Sequence, residues 1–309
     1  MRYLVLLITV LFLGAVQAEQ VQIKHEGLVL NANLEKAEGS GPVVLMTHGT
    51  LAHNRMEIME TLQALFLEHG VSSLAISLSL DLSDRNGMYP CATPHTHQHT
   101  DALDEIGLWA DWLKARGVGE IVLLGHSRGG NQVAWFAAER ADPVISKLIL
   151  VAPQVWEKGK WMSEYQKSYN KSLQPLMEKA RALVASGKGD TLMQSVDFIY
   201  CPETSATAEA FVSYYAADER FDTPSLLKEI SKPVLVFFDH PKALHNMIND
   251  GYRVVTLVQQ SPQMLDPVFI GHALFRDCRH KLQLGGVQVF AVKQRTIALQ
   301  KCRECQDPL

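Results

Sequence analysis

Residues 121–131 read IVLLGHSRGGN, and this stretch decides how the rest of the chain is interpreted. Its first four residues are apolar and predict a buried strand, because short apolar runs bounded by turn residues are typical of strands covered on both faces. Residues 125–129 then form a G-x-S-x-G pattern, and the residues after it predict a helix. The pentapeptide alone occurs in many unrelated proteins, so its meaning depends on its context.

Apolar runs and helical patterns alternate along the chain, which predicts a mostly parallel sheet covered by helices on both faces. A last helix is predicted, on weaker periodicity, around residues 289–302. The pattern places strands at residues 43–46, 71–80, 120–124, 147–152, 234–238 and 252–258, and helices at 54–69, 101–116, 130–140 and 243–249.

The alternation is interrupted between residues 154 and 231, where the chain is more polar. Apolar residues recur there at helical spacing, and a helical insertion between two parts of one sheet is the simplest account. We therefore predict a core formed by residues 19–153 and 232–309, with a helical insertion at 154–231. The residues at helical spacing include Leu173, Leu176, Met177, Ala180 and Leu183.

Ser127 lies where the predicted strand gives way to the predicted helix. A sharp strand-to-helix turn forces strained backbone dihedrals on the serine, so small residues at Gly125 and Gly129 are needed to avoid clashes. The turn would hold the serine Oγ above the sheet, and the helix N-terminus would favour negative charge developing there. A structural Gly-Ser turn is the alternative, but the flanking strand and helix favour a nucleophile.

A serine hydroxyl needs a base to become nucleophilic, usually a histidine. In this architecture the base should follow the last strand. His272 meets this condition, in the sequence Phe-Ile-Gly-His, whereas His280 lies farther on beside basic residues and is typical of a surface position. We therefore predict His272, among the twelve histidines, as the base.

The histidine must itself be oriented by a carboxylate, which should follow the preceding strand. Asp239 is the first carboxylate after the strand predicted at 234–238. Asp250, Asp266 and Asp277 remain alternatives. The predicted order along the chain is serine, aspartate, histidine, with Asp239 as the acid.

The oxyanion of an acyl-transfer intermediate needs two backbone N–H donors. The amide of Arg128, which follows the nucleophile, is the first candidate. The second should come from the loop after the first core strand, where Thr50 or Leu51 would donate. His48 in that loop is interpreted as a structural residue that braces it.

Together these residues resemble the α/β-hydrolase superfamily. The motifs that carry the resemblance are His48-Gly49, the pentapeptide at 125–129, the carboxylate Asp239 after a strand, and the pair Gly271-His272. The resemblance covers roughly residues 42–274, apart from the insertion. It implies the α/β-hydrolase fold with a mostly parallel sheet, a Ser-Asp-His triad, and an insertion that acts as a cap over the site. It also implies acyl transfer that requires no metal and no organic cofactor.

A run of histidines supports a competing hypothesis. His95, His97 and His99 occupy every second position, and alternate residues share a face in an extended segment. Three imidazoles on one face could hold zinc or copper. The alternative is a solvated loop, or side chains braced against the rim of the active site, because the loop at 82–100 follows a sheet strand. Arg85 in this loop and Arg128 could each meet an anionic substrate group, although a surface salt bridge is the simpler prediction for Arg85.

The N-terminus predicts export. Arg2 is followed by an apolar run from residue 3 to 16 and by small residues that end at Ala18, which is typical of a cleaved signal peptide over residues 1–18. A membrane anchor is the alternative, but the run is short for a span of roughly 20 residues. We predict a periplasmic or secreted protein with no stable membrane anchor after cleavage.

The cysteines fit an oxidising compartment, where one or two disulfides are expected. The sequence does not give their pairing. The pair Cys302-x-x-Cys305 could be redox-active or bind zinc, but a structural role is favoured. The five cysteines are Cys91, Cys201, Cys278, Cys302 and Cys305.

Composition limits the remaining choices. The 309 residues are 47% hydrophobic, enough for one domain with a large core. The net charge is −4 with no basic stripe, so nucleic acid is not an expected partner. The leading hypothesis is an exported serine hydrolase that cleaves a small-molecule carboxylic ester or related acyl compound. A peptidase or amidase with the same triad, a metal-binding protein that uses the histidine run, and a non-catalytic binding protein are the alternatives.

Overall fold

The apolar runs that precede Gly49 and Gly125 pair side by side as parallel strands in the computed structural model of the chain. The structure describes residues 18–140, 142–157, 159–238, 254–258 and 288–290. The strands in these ranges are β1 (Glu19–His25), β2 (Leu28–Glu35), β3 (Val43–Thr47), β4 (Ser72–Ser77), β5 (Ile121–His126), β6 (Ile145–Val151), β7 (Leu192–Phe198), β8 (Cys201–Thr207), β9 (Val234–Phe238), β10 (Val254–Val258) and β11 (Gln288–Phe290).

Nine of these strands form one sheet in the order β1-β2-β4-β3-β5-β6-β9-β10-β11. The six strands from β4 to β10 run parallel, whereas β1, β2 and β11 pair antiparallel at the two edges. The predicted mostly parallel sheet is thus confirmed. Because β3 and β5 are neighbours, with Thr47 paired to Gly125, their carboxyl ends bring the two sequence motifs together.

Helices cover both faces of the sheet, because alternate residues of each strand point to opposite sides. Val44 and Met46 of β3 pack with one helix, and Val43 and Leu45 pack with the other layer. The first layer is α1 (Glu57–Glu68), and the second contains α2 (Asp101–Lys114) and α3 (Arg128–Glu139). No helix in the described ranges is long and apolar enough to span a membrane.

Most predicted elements are confirmed to within a few residues, and two regions differ. The antiparallel hairpin of β1 and β2 was not predicted, although Glu26 and Gly27 between them both have positive φ, 46° and 83°. Two such residues form the turn that matches the twist of a hairpin. The helix predicted around residues 289–302 is wrong at its start, because Gln288–Phe290 is a strand. The helix predicted at 243–249 lies outside the described residues.

The segment between β6 and β9 contains the predicted helices and one element that periodicity missed. β7 and β8 form an antiparallel hairpin with its own two-stranded sheet. Ile199 and Tyr200 make its turn with positive φ. Irregular register and only partial burial hide the period of two that marks a strand. The helices of this segment are α4 (Lys160–Tyr169), α5 (Gln174–Ala185), α6 (Ala208–Tyr215) and α7 (Thr223–Leu227).

Candidate active site

Ser127 joins β5 to α3 in a strained conformation, with φ 54° and ψ −119°. A non-glycine residue in such a sparsely populated region costs about 1–3 kcal/mol and persists only when its surroundings hold it there. Here the Ser127 N–H donates to the Val151 carbonyl at 2.9 Å, and the Ser127 carbonyl accepts from the N–H groups of Gly130 at 3.0 Å and Gln154 at 2.9 Å. The backbone on both sides of the serine is therefore fixed by hydrogen bonds.

The glycines of the pentapeptide are required by backbone contacts. A Cβ added at Gly125 would collide with the backbone of Gly129, and one added at Gly129 would collide with the carbonyl of His48. A Cβ at Gly130 would lie 2.9 Å from the Pro153 Cβ. The helix thus begins as close to the sheet as backbone atoms allow, which is the steric need that the sequence pattern predicts.

The loop after β3 lies directly against the serine. A Cβ added at Gly49 would lie 3.2 Å from the Ser127 Cβ. Leu51 has φ 55°, and the N–H of Ala52 closes the turn on the Gly49 carbonyl at 3.2 Å. Thr50 Oγ1 accepts from Arg128 Nε at 3.0 Å. The structure therefore brings together the predicted oxyanion-hole residues, while the choice between the amides of Thr50 and Leu51 stays a prediction.

The buried side chain of His48 holds this loop in place by hydrogen bonds. Its Nε2 accepts from the Leu78 N–H at 3.0 Å and lies 3.1 Å from Arg85 Nη2, which can only donate. Nδ1 therefore carries the proton and donates to the Gly49 carbonyl at 2.8 Å. Burial holds the pKa of His48 well below its ordinary value, so the ring is neutral. The interpretation of His48 as a structural residue agrees with these contacts.

Arg85 is buried, and the predicted surface salt bridge is wrong. Its Nε donates to the Leu78 carbonyl at 2.7 Å and its Nη1 to the Gly87 carbonyl at 2.8 Å. Burial lowers the pKa of Arg85 to about 10, which still leaves it charged at neutral pH. Backbone carbonyls and His48 satisfy its donors, so the side chain fixes the course of its own loop.

The histidine run is buried rather than solvated, and His99 contacts the start of α3. Its Nδ1 lies 3.2 Å from Arg128 Nη1, which can only donate, so Nδ1 accepts. Its Nε2 then donates to Asn131 Oδ1 at 3.1 Å. Burial, followed by the charge of Arg128, holds the pKa of His99 well below its ordinary value. His99 is therefore a neutral ring that links its loop to the helix that follows the serine.

His95 and His97 continue this network away from the serine. Nδ1 of His95 and Nε2 of His97 share a hydrogen bond of 3.1 Å, and His97 Nδ1 lies 2.8 Å from the Tyr214 hydroxyl. Burial lowers the pKa of His95 to about 4 and that of His97 well below its ordinary value. These contacts favour the interpretation of the run as bracing side chains.

The metal-binding hypothesis finds little support in this geometry. A ligating imidazole needs one nitrogen for the metal and uses the other for a supporting hydrogen bond. Both ring nitrogens of His97 and of His99 already contact protein groups. In the part of the chain that the structure describes, no group of three or more histidine, cysteine, aspartate or glutamate side chains is arranged to hold a metal.

A disulfide between Cys91 and Cys201 fastens the loop at 82–100 to the hairpin of β7 and β8. The backbone adds to this link, because the N–H of His95 donates to the Ser205 carbonyl at 2.8 Å and the N–H of Thr207 to the His95 carbonyl at 2.9 Å. The loop and the inserted segment thus form one connected unit. One expected disulfide is present, and Cys278, Cys302 and Cys305 lie outside the described residues.

Sequence reasoning missed two residues of the site. Tyr214, on α6 of the inserted segment, contacts both His97 and the guanidinium of Arg128, whose carbon lies 5.1 Å from the ring centroid. Asn131 lies one helical turn after Ser127 and is buried. The spacing of four could have indicated Asn131. No sequence signal connects Tyr214 to a residue more than eighty positions away.

The predicted acid and base, Asp239 and His272, lie outside the described residues, but the strand before the acid is described. The register runs from His126 on β5 to Val151 on β6 and on to Phe237 on β9. The Ala152 N–H also donates to the Phe237 carbonyl at 2.7 Å. β9 therefore ends at the same edge of the sheet as the serine.

Comparison with known proteins agrees with this architecture. A family model described as serine aminopeptidase, S33, matches residues 90–221, which include the serine turn and most of the inserted segment. The chain has the α/β-hydrolase fold. It is similar in fold to the α/β hydrolase GrgF from Penicillium sp. sh18, with a TM-score of 0.58 and 17% identity, over 84% of this chain and 95% of GrgF.

Two esterase structures share the superfamily fold. Est1E from Butyrivibrio proteoclasticus, bound to ferulic acid, has a TM-score of 0.56 and 18% identity, over 82% of this chain and 96% of Est1E. An esterase from Pyrococcus furiosus has a TM-score of 0.52 and 15% identity, over 81% of this chain and 84% of the esterase. No curated protein sequence matches the chain. At these identities the likeness concerns the fold.

Proposed function

We propose that this α/β hydrolase is a serine hydrolase that cleaves carboxylic esters or related acyl compounds through an acyl-enzyme. One observation carries the proposal: Ser127 is held with φ 54° at a strand-to-helix turn, with the loop at 48–51 packed against it. Strain of this kind clusters at active sites, where it is part of the mechanism. A turn with only a structural role would relieve the strain by placing glycine at this position.

The proposed reaction follows the acyl-transfer scheme of such sites. Ser127 Oγ attacks the substrate carbonyl while His272 accepts its proton, and Asp239 orients the imidazole. His272 then protonates the leaving alcohol, an acyl-enzyme remains, and water releases the acid. The roles of His272 and Asp239 rest on the sequence, supported by the position of β9 beside β6 in the sheet.

The negative charge that develops on the substrate oxygen is the main target of stabilisation. The amides of Arg128 and of Thr50 or Leu51 are proposed to donate to it, and the N-terminus of α3 adds a favourable dipole. Side chains support this arrangement, because Arg128 Nε donates to Thr50 Oγ1 and so joins the two donor segments. Loss of one oxyanion donor typically costs about 10²–10³ in kcat.

The ester and the amide remain the two candidate substrate bonds. Est1E and the Pyrococcus furiosus enzyme are esterases, which supports an ester. The matched family model describes serine aminopeptidases, which supports a peptide bond as the second candidate. The ester is proposed first, and a small-molecule acyl compound rather than nucleic acid is the proposed substrate.

Export and a capping role for the insertion complete the proposal. The disulfide between Cys91 and Cys201 supports an oxidising compartment, because disulfides are rare in the cytosol. We infer that the signal peptide is cleaved after Ala18 and that the mature protein is periplasmic or secreted without a stable membrane anchor. The inserted segment, tied to the loop at 82–100, is proposed as the cap that shapes the substrate pocket.

Labelling with a fluorophosphonate probe tests the proposal. The purified protein should be labelled at Ser127, and Ser127→Ala should take no label, whereas Ser163→Ala, at an exposed position on α4, should be labelled like the wild type. Esters and amides with matched acyl groups should then be compared, with and without a chelator. Faster cleavage of esters, unaffected by chelation, is the expected result.

Absence of label on a folded wild-type protein would contradict the serine hydrolase and favour a non-catalytic binding protein. Faster cleavage of the amides would favour the peptidase. Loss of activity on addition of the chelator would favour metal binding by the histidine run.

A further inference from the structure

The guanidinium of Arg128 is buried next to the candidate nucleophile. The residue is only 7% exposed, and it directly follows Ser127 at the first position of α3. Its Nε donates to Thr50 Oγ1 at 3.0 Å, and its Nη1 donates to His99 Nδ1 at 3.2 Å. The guanidinium therefore lies between the loop at 48–51 and His99 of the loop at 82–100.

The groups around this guanidinium are neutral. Thr50 is uncharged, and His99 is neutral because its Nδ1 accepts a hydrogen bond from a group that can only donate. Tyr214 presents the face of its ring, 5.1 Å from the guanidinium carbon, and burial raises the pKa of its hydroxyl. None of these neighbours supplies the negative charge that a buried cation needs.

Arg85 is also buried without a carboxylate partner, but two backbone carbonyls and His48 accept from its guanidinium. Two exposed arginines have carboxylate partners. Arg220 pairs with Asp218 and Glu139, and Arg140 pairs with Asp104, all near the surface. Among the described residues, no carboxylate lies within ion-pair distance of Arg128. A buried, unpaired charge is strongly unfavourable, so a charge kept at such a site points to a partner that arrives from outside.

We propose that Arg128 binds a carboxylate carried by the ester substrate, so that the enzyme prefers anionic esters over neutral ones of the same shape. This inference rests on the proposed role of Ser127. A guanidinium has five N–H donors in a planar fork that matches a carboxylate, and two of the five are assigned to Thr50 and His99. The remaining donors suit a carboxylate, and they belong to the residue that directly follows the serine.

A general electrostatic role of Arg128 makes a different prediction. If its charge only stabilised the oxyanion, its loss would slow every ester by the same factor. Binding of a substrate carboxylate instead makes the loss selective, so the ratio of kcat/KM for a charged ester to that for its neutral counterpart is the decisive quantity.

Paired esters measure this ratio. Monomethyl adipate and its amide counterpart, methyl adipamate, differ only in a charge on the acid part, and 4-acetoxybenzoate and 4-acetoxybenzamide differ only in a charge on the alcohol part. The wild type should prefer the charged member of at least one pair by about tenfold to hundredfold, the usual range for a charge-assisted hydrogen bond. The pair that responds tells which part of the ester carries the carboxylate.

Substitution of Arg128 assigns the preference to this side chain. In Arg128→Gln the ratio should fall to about one, and Arg128→Lys should retain part of it because a charge remains. The matched control is Arg116→Gln, at an exposed position beyond the C-terminal end of α2, where the ratio should not change. Equal loss for both members of a pair, or a wild type without any preference, would overturn the inference. If Arg128→Gln does not fold, the partial loss of the ratio in Arg128→Lys makes the assignment, and an unchanged ratio in that variant overturns the inference.

A binding measurement separates this inference from the proposed function. Calorimetry with adipate should show binding to Ser127→Ala and none to Ser127→Ala/Arg128→Gln. If adipate binds in this way but no ester or amide is cleaved, the anion site stands and the proposed hydrolase fails. If esters are cleaved but adipate binding does not depend on Arg128, the hydrolase stands and the anion site is overturned.

Discussion

The floor and the roof of the candidate site are held together by different means. The floor, which is the serine turn at 125–130 with the loop at 48–51, depends on backbone hydrogen bonds and on glycines that admit close contact. The roof, which is the loop at 82–100 with the hairpin of β7 and β8 and helix α6, depends on a disulfide and on buried polar side chains. The floor therefore tolerates almost no change in shape, whereas the roof can loosen while the serine keeps its conformation.

Breaking the disulfide should give the largest loss of stability. The bond between Cys91 and Cys201 closes a loop of 110 residues, and loss of a cross-link of that span costs about 5 kcal/mol in the chain-entropy model. We expect Cys91→Ser/Cys201→Ser to lower the midpoint of thermal unfolding strongly and to raise KM, because the roof is released. Fluorophosphonate should still label Ser127 below the new midpoint. Complete loss of labelling in the folded variant would show that the floor depends on the roof.

Adding a methyl group to the floor should give the second largest loss of stability. Unlike loss of the disulfide, it should also abolish labelling of Ser127. In Gly129→Ala the added Cβ meets the carbonyl of His48, a backbone group that cannot move aside. We expect a loss of about 3 kcal/mol in the free energy of unfolding, and loss of labelling even where the variant is folded. Urea unfolding and labelling measure the two effects.

The control for the floor is Gly119→Ala, since a Cβ at Gly119 meets nothing within 4 Å. This variant should keep both stability and labelling. If Gly129→Ala were labelled as well as the control, the close approach of α3 to the loop at 48–51 would not be needed for the reactivity of the serine.

The same contrast explains what the sequence could predict. The strands β3, β5 and β9, the turn at Ser127 and the loop after Thr47 are local features, because apolar runs and glycines fix their conformation within a few residues. They were predicted at nearly their observed bounds. The antiparallel β1 and β2 were not predicted, although their turn residues carry a local signal.

The roof could not be predicted, because its contacts join residues far apart in sequence. Burial of three histidines depends on partners such as Tyr214 and Asn131, more than thirty positions away. An alternating histidine run is equally compatible with a metal site, a solvated loop and a buried brace until those partners are known. Cysteine pairing has the same limit, since no local pattern connects Cys91 to Cys201.

Removing one hydroxyl from the roof should have a smaller effect than either change above. Tyr214→Phe leaves His97 Nδ1 without its partner in a buried environment, which costs about 2 kcal/mol. We expect a moderate decrease in the free energy of unfolding with labelling retained. Tyr200→Phe is the matched control, because Tyr200 is 75% exposed, and it should be nearly neutral. An equal effect of the two substitutions would mean that the hydroxyl of Tyr214 does not support the roof.

Acid should destabilise the roof, because protonation of its buried neutral histidines is unfavourable in the folded protein. Burial lowers the pKa of His95 to about 4 in the folded protein, against about 6.5 in an unfolded chain. Below pH 6.5 the unfolded state therefore binds more protons, and stability is progressively lost as the pH falls toward 4, by up to about 1.4 kcal/mol per pH unit for this group. Above pH 6.5 its contribution is constant.

His95→Phe isolates this contribution, because the ring keeps its contacts with Tyr89 and Phe198 but no longer titrates. The variant also loses the hydrogen bond to His97, so its absolute stability is lower at every pH. The slope of stability against pH between 6.5 and 4 is the informative quantity, and it should be smaller than in the wild type by about one proton. An unchanged slope would show that His95 does not stay neutral in the folded protein. A smaller slope would assign this proton to the roof, whereas the buried neutral His48 contributes a separate acid response in the floor.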